Sequence, residues 1–222
     1  PTRILAGLTF SLGLVLVVVG GAELFTGNMF IVMAWASRRV STAQLARNWA
    51  VAYLGNLGGA AATAWLIHQS GVLRDGAGAT AMAIAEAKAA LDFWPALLRG
   101  VTCNILVCLA VWLTFSARTT SDKILCIVPP ITAFVAMGLE HSIANMYFLP
   151  MGKLLGASFP WTAVATNLAP VTLGNMIGGG VMVAGVYWIV YLRPWAAGIV
   201  AALTLLAAHF VQWWISRPVP VE

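Results

Sequence analysis

Charge is what this chain lacks most. Of 222 residues only 12 are Lys or Arg and 7 are Asp or Glu, so 9% are charged, against about 25% in an ordinary globular domain. So few charges cannot cover the surface of a soluble protein of this length, which excludes a conventional cytosolic enzyme and a disordered chain alike. Cysteine is scarce too. Cys103, Cys108 and Cys126 are odd in number and show no CxxC spacing, so they read as small buried hydrophobes rather than a disulfide or metal framework. There is no HExxH, no Gly-rich phosphate loop and no Ser/His/Asp order, so no catalytic set, metal or cofactor is expected. A basic n-region before a short apolar run and a cleavage site is also missing, so no cleavable signal is evident.

What is present is apolar. Hydrophobic residues make up 61% of the chain and mean hydropathy is +0.89, so lipid is the solvent for most of it. The formal charge of +5 is scattered singly between apolar runs. That pattern fits topogenic charge beside a membrane and not a nucleic-acid surface. Charges and turn residues divide the sequence into six apolar segments, 3–36, 43–69, 93–117, 123–149, 167–192 and 195–216. A membrane helix needs about 20 apolar residues. The expected fold is therefore an all-α polytopic membrane protein, one transmembrane domain over 1–222. Residues 79–91 read as a short Ala-rich helix outside the apolar core, and Trp35, Trp49, Trp94, Trp161, Trp188, Trp195, Trp213 and Trp214 lie near segment ends, where amphipathic rings meet the bilayer interface. Loops 37–47 and 116–123 and Arg193 are assigned to the cytoplasm by their basic residues.

An internal repeat is the most informative feature. GAELFTGN at 21–28 and GLEHSIAN at 138–145 share Gly, Glu and Asn at equal spacing. NWAVAYLGNLGGA at 48–60 and NLAPVTLGNMIGGG at 167–180 share an opening Asn, Leu-Gly-Asn and a glycine run at nearly the same offset. Repeat one spans 1–69 and repeat two 93–193, and 195–216 is an additional helix. The long segments 3–36 and 123–149 each carry polar residues where a half-helix would end. Broken backbone at membrane depth is tolerated only where protein or a water-filled cavity satisfies it, and paired breaks in two halves point to a solute site between them. Half-helix amino termini aimed inward favour an anion.

Within the second break, His141 follows Glu140. An ionisable residue at membrane depth is functional by default, and imidazole exchanges a proton near neutral pH. Thr26 offers a hydroxyl in the first break. Glu23 and Glu140 occupy equivalent places and are read chiefly as acceptors of half-helix amide N–H groups, with proton carriage the alternative. Asn56 and Asn175 close the two Leu-Gly-Asn motifs and need partners in an apolar setting. Lys88 reads either as functional or as a solvated partner of Asp92 at i,i+4. His68 and His209 read as interfacial.

Taken together, GAELFTGN, NWAVAYLGNLGGA, CNILVCLAVW (103–112), GLEHSIANMYFLPMG (138–152) and NLAPVTLGNMIGGG resemble the formate/nitrite transporter family, its formate-channel branch, over residues 3–193. The resemblance implies a homopentamer with a pore in each protomer and an aquaporin-like inverted repeat of three-helix units with two broken helices. It implies that Thr26 and His141 are the central polar pair, Asn175 a pore amide, Lys88 a basic residue drawing anions inward and Glu140 the acid beside the histidine. Phe10, Leu14, Leu24, Phe25, Val107 and Phe134 match its apolar constrictions. The implied substrate is a small monovalent anion, formate first and nitrite or hydrosulfide as alternatives, carried across the bacterial inner (cytoplasmic) membrane, with no nucleic-acid partner. A neutral-solute channel of the aquaporin kind should show paired Asn-Pro-Ala at its breaks, and this chain has none.

Two departures from the family pattern stand out. The first helix of repeat one, counterpart of 93–117, is not found before segment 3–36, and 195–216 is extra. Two arrangements stay open: the last segment fills the vacant place, as in a circular permutation, or it is an unrelated addition.

Overall fold

A computed structural model describes residues 2–74, 76–193, 198, 204–209 and 212, and among these all regular secondary structure is helical, with no strand. In chain order the helices are α1 (Thr2–Gly20), a 3-10 turn (Gly27–Phe30) leading into α2 (Ile31–Ala36), α3 (Thr42–Ser70), α4 (Gly76–Ala89), α5 (Phe93–Thr114), α6 (Thr120–Ala136), α7 (Ser142–Leu154) and α8 (Thr162–Met176). A π-helical stretch (Ile177–Gly185) then carries α8 into α9 (Val186–Leu192). Among the described residues four spans are long and apolar enough to cross a bilayer: Thr2–Gly20, Thr42–Ser70, Phe93–Thr114 and Thr162–Leu192. Their outer faces leave large apolar side chains bare, such as Leu12 and Leu16 on α1, Leu54 and Leu66 on α3 and Ile189 on α9. Exposure of that extent is unfavourable in water and normal in lipid. The chain is an integral membrane protein.

Local sequence explains where helices start and stop. Ser41 and Gln44 form a reciprocal capping box at α3, with Gln44 N–H donating to Ser41 Oγ and Ser41 N–H to Gln44 Oε1. Thr119 and Asp122 do the same at α6. α1 ends where Gly21 takes φ +76°, and α6 where Gly138 takes φ +69°. At the first stop Ala22 N–H reaches back to Val17 O, and at the second Leu139 N–H reaches Phe134 O. Both are the left-handed closures that glycine adopts without a Cβ clash. These are the opening glycines of the two motifs found in the sequence.

The core lies around α5, which packs along α8 and α6, while α1 lies against α6 and α3 against α7. A Cβ on Gly174 would collide with the Leu97 carbonyl, so the α5–α8 approach requires glycine there. Cys103 and Cys108 on α5 are fully buried, and Cys126 is partly so.

One expectation needs correction. Lys88 does not pair with Asp92: α4 stops at Ala89 and Asp92 is extended (φ −67°, ψ 160°) at the start of α5, so no helical i,i+4 relation exists. Trp49 is half-buried and donates from Nε1 to Asn28 O (3.2 Å). Most of segment 195–216, with Trp195, Trp213 and Trp214, lies outside the described residues. The part that is described, 198, 204–209 and 212, is helical and exposed.

Candidate functional site

Between α1 and the 3-10 turn, and again between α6 and α7, the chain leaves the helical path and exposes backbone amides and carbonyls inside an apolar bundle. Each break is satisfied by the same set of side chains. In the first, Asn28 Nδ2 donates to Glu23 Oε2 (2.5 Å) and to Asn48 Oδ1 (2.9 Å). In the second, Asn145 Nδ2 donates to Glu140 Oε2 (2.6 Å) and to Asn167 Oδ1 (2.7 Å). The Leu-Gly-Asn asparagines hold the broken backbone. Asn56 accepts Phe25 N–H (2.9 Å) and donates to Glu23 O (3.0 Å). Asn175 accepts Ser142 N–H (2.8 Å) and donates to Glu140 O (3.1 Å) and Gly100 O (2.8 Å). Unpaired amides at this depth would cost several kcal/mol each, on the order given for lipid-exposed backbone.

The two networks differ in charge. Lys88 Nζ lies 2.9 Å from Glu140 Oε1, and the two side chains are 14% and 5% exposed. Asn167 Nδ2 fixes the Lys88 carbonyl (2.8 Å), so the lysine is tied into the same network. Glu23 is exposed and has no cation beside it among the described residues. The amide N–H groups that the two glutamates accept at the half-helix starts are those of the Asn28 and Asn145 side chains, not of the backbone. At α7 the backbone amides are already taken, Ser142 N–H by Asn175 and Ala144 N–H by His141 Nδ1 (3.2 Å). Glu140 is left for Asn145 and Lys88.

Where the breaks face each other, Thr26 Oγ1 and His141 Nε2 are 2.9 Å apart, with Thr26 fully buried and His141 7% exposed. The cap bond to Nδ1 fixes the tautomer. A ring nitrogen that accepts Ala144 N–H carries no proton, so in the neutral imidazole the proton sits on Nε2 and is donated to the Thr26 oxygen. The Thr26 hydroxyl hydrogen is thereby free to point elsewhere. Thr26 is held from behind as well, since its carbonyl accepts from Asn104 Nδ2 (3.1 Å) and Cys108 Sγ (3.5 Å).

Beside this pair is an apolar cavity of about 190 Å³ lined by Phe10, Leu14, Leu24, Val107, Phe134 and His141 among others. Phe134 stacks on the His141 ring (centroids 6.1 Å, 24°) and meets Phe10 edge-on (5.4 Å, 90°). Five of the six sequence-derived constriction residues thus meet at one cavity with His141. Phe25 does not join them; its ring packs on Tyr53 (4.9 Å) and Trp49 (6.3 Å). Asn175, Lys88 and Glu140 lie behind the cavity wall as a hydrogen-bonded frame. Asn104, Asn145 and Asn167 went unassigned in the sequence, although an Asn inside an apolar run is itself a signal that a partner exists.

A helical bundle with bare apolar flanks and a buried polar frame around two chain breaks is the architecture of a polytopic membrane transport protein. The sequence matches the formate/nitrite transporter family over residues 1–189, and the chain belongs to that family. It is 41% identical over 213 residues to the formate channel FocA of Escherichia coli (strain K12), covering 86% of this chain and 75% of that protein. Its fold is similar to a pentameric formate channel with formate bound (TM-score 0.76, 39% identity, 86% of this chain and 84% of that one). It is also similar to an FNT family ion channel (TM-score 0.79, 32% identity, covering 86% and 78%).

Proposed function

We propose that the chain conducts small monovalent anions or their conjugate acids across the bacterial inner membrane, formate first, with nitrite and hydrosulfide as alternatives through the same pore. The observation that carries this reading is His141 in the wall of an otherwise apolar cavity, its Nε2 held 2.9 Å from the buried Thr26 Oγ1. An apolar slit resists a bare anion and admits a small solute that finds a donor there. The Thr26 oxygen is occupied by His141 Nε2–H, which leaves its hydroxyl hydrogen as the donor available beside that wall. Lys88 and Asn145 hold the Glu140 carboxylate, so the solute meets no bare negative charge. Phe10 and Phe134, together with Leu14, Leu24 and Val107, form the constrictions that exclude larger or strongly hydrated ions.

The same reading takes 1–69 and 93–193 as inverted repeats of one transmembrane domain. The paired Glu–Asn–Asn networks and the paired glycine stops support it. The likeness to a structure described as a pentameric formate channel supports a homopentamer with one pore per protomer. Purified protein in vesicles tests the function. Formate-dependent flux exceeding that of chloride, rising as the external pH falls, is the expected result. Flux of water or glycerol with no anion or weak-acid transport would overturn it.

A further inference from the structure

A second cavity, of about 650 Å³, lies far along the fold from the pore pair, where α2 and α9 both end. Its lining joins Arg38, Arg39 and Arg193 to the apolar side chains of Phe30, Met33 and Leu192. None of the three arginines has a carboxylate partner among the described residues. Trp188 completes the wall. Its Nε1 donates to Ser37 Oγ (2.9 Å), and the Arg193 guanidinium sits over its ring at 4.2 Å, so one cation is held in place by a fixed aromatic plate.

Arg38 sharpens the argument. α2 ends in a left-handed closure with Arg38 N–H on Trp35 O and Arg39 N–H on Ala34 O, both 2.9 Å. The residue that turns the corner is Arg38 itself, at φ +57°, and it is the one described non-glycine residue with positive φ. Gly21, Gly71, Gly138 and Gly156 take the positive φ at the other described stops of this kind. A side chain kept where glycine is the unstrained choice points to a use for that side chain.

We propose that this cavity is a binding site for the phosphate of an anionic phospholipid from the cytoplasmic leaflet, held by Arg38, Arg39 and Arg193 with its glycerol and upper acyl chain against Met33, Phe30 and Leu192. The basic loops place these helix ends at the cytoplasmic interface, the depth of lipid phosphates, and basic pockets between membrane helices on that side suit such headgroups. Arginine forks match phosphate oxygens in pairs. A free phosphate would share the charge contacts but leave the apolar wall bare.

The experiment is native mass spectrometry and thermal melting of the full chain with phosphatidylglycerol, phosphatidylcholine or inorganic phosphate. Wild type should retain phosphatidylglycerol at least about tenfold better than phosphatidylcholine, a modest return for three arginines near a headgroup. Arg38→Gln/Arg39→Gln/Arg193→Gln should lose that preference, while Arg47→Gln/Arg118→Gln/Lys123→Gln, with the same loss of charge on the same face outside the cavity, should keep it. Arg38→Gly relieves the strained corner, so it should melt no lower than wild type in phosphatidylcholine yet bind phosphatidylglycerol more weakly. Equal loss in the two triple variants would reduce the effect to surface potential and overturn the proposal. So would Arg38→Gly melting lower with lipid retention intact, which marks Arg38 as a helix-end residue only. Stabilisation by inorganic phosphate equal to that by phosphatidylglycerol would overturn the lipid as the occupant.

Discussion

His141 holds the start of α7 with one ring nitrogen and faces Thr26 with the other: Nδ1 accepts Ala144 N–H at 3.2 Å and Nε2 lies 2.9 Å from Thr26 Oγ1. The two bonds are coupled through the tautomer. A second proton on the ring requires Nδ1, and Nδ1 is free only when Ala144 lets go. Charging this imidazole therefore means giving up the cap bond at the start of α7.

That coupling separates two roles by substitution. Asparagine at position 141 can still accept Ala144 N–H as a helix cap, whereas phenylalanine keeps only the stacking on Phe134. His141→Asn should melt close to wild type, and His141→Phe lower by about 1–2 kcal/mol, the scale of a lost cap. Both should lose acid-stimulated formate uptake in vesicles. Wild-type uptake at every pH in either variant would refute the assigned role of Nε2.

Thr26→Ala leaves His141 Nε2–H without its acceptor in a buried setting. The expected cost is about 1–2 kcal/mol, read as a drop in formate flux with assembly unchanged from wild type. Thr26→Ser keeps the hydroxyl and should restore most of the flux. A serine variant as impaired as the alanine one would show that the methyl packing matters and the hydroxyl does not.

Much of this arrangement is legible in the sequence because membrane burial writes it in residue types. Apolar runs mark the helices, and the glycines before Glu23 and Glu140 mark where two of them stop, since glycine adopts the left-handed turn without cost. The equal spacing of Glu, Asn and Leu-Gly-Asn marks the two networks. What stays hidden is partner choice. Lys88 lies 52 residues from Glu140, and no local spacing reveals that α4 returns to pair them. Phe25 sits between two residues that do reach the centre, yet loop curvature turns its ring onto Tyr53. The π-helical stretch at Ile177–Gly185 is equally silent, because its glycines would suit an α-helix packed closely on α5 as well.

Asp122 supplies a pH prediction outside the membrane. The Thr119 hydroxyl, then the Thr119 backbone N–H, hold its carboxyl below the ordinary carboxylate value. A carboxyl lowered in the folded state adds stability above its unfolded pKa and loses it as pH falls through the folded one. Amide exchange at the α6 start should therefore speed up only in strongly acidic buffer. Asp122→Asn should remove that acid dependence, measured by hydrogen exchange across residues 119–123.

The paired asparagines should respond unequally. Asn175 is fully buried and makes three hydrogen bonds to backbone, whereas Asn56 makes two and is half-exposed. Asn175→Ala strands one N–H and two carbonyls away from solvent, at a cost of about 3 kcal/mol or more. Asn56→Ala should cost about 1 kcal/mol, since water or a neighbour reaches that side. Thermal unfolding in one detergent compares them, and equal losses would contradict the difference in burial.

The Lys88–Glu140 pair allows the most decisive test of the frame behind the pore. Lys88→Met leaves the Glu140 carboxylate nearly buried (5% side-chain exposure) with Asn145 as its remaining side-chain partner. Breaking a buried pair from one side typically costs about 3–5 kcal/mol, while replacing both partners by neutral groups of similar shape costs far less. Lys88→Met should therefore lower the melting temperature and expression more than Lys88→Met/Glu140→Gln. In the double variant the introduced glutamine keeps an acceptor for Asn145 and carries no net charge. If the pair serves only the frame, the double variant also recovers formate flux along with stability. If its charges shape the field at the pore, the double variant recovers stability while flux and its pH dependence stay altered. A double variant no more stable than Lys88→Met would show that the lysine acts through its packing on Phe148 (5.9 Å to the ring centroid) and not through its charge.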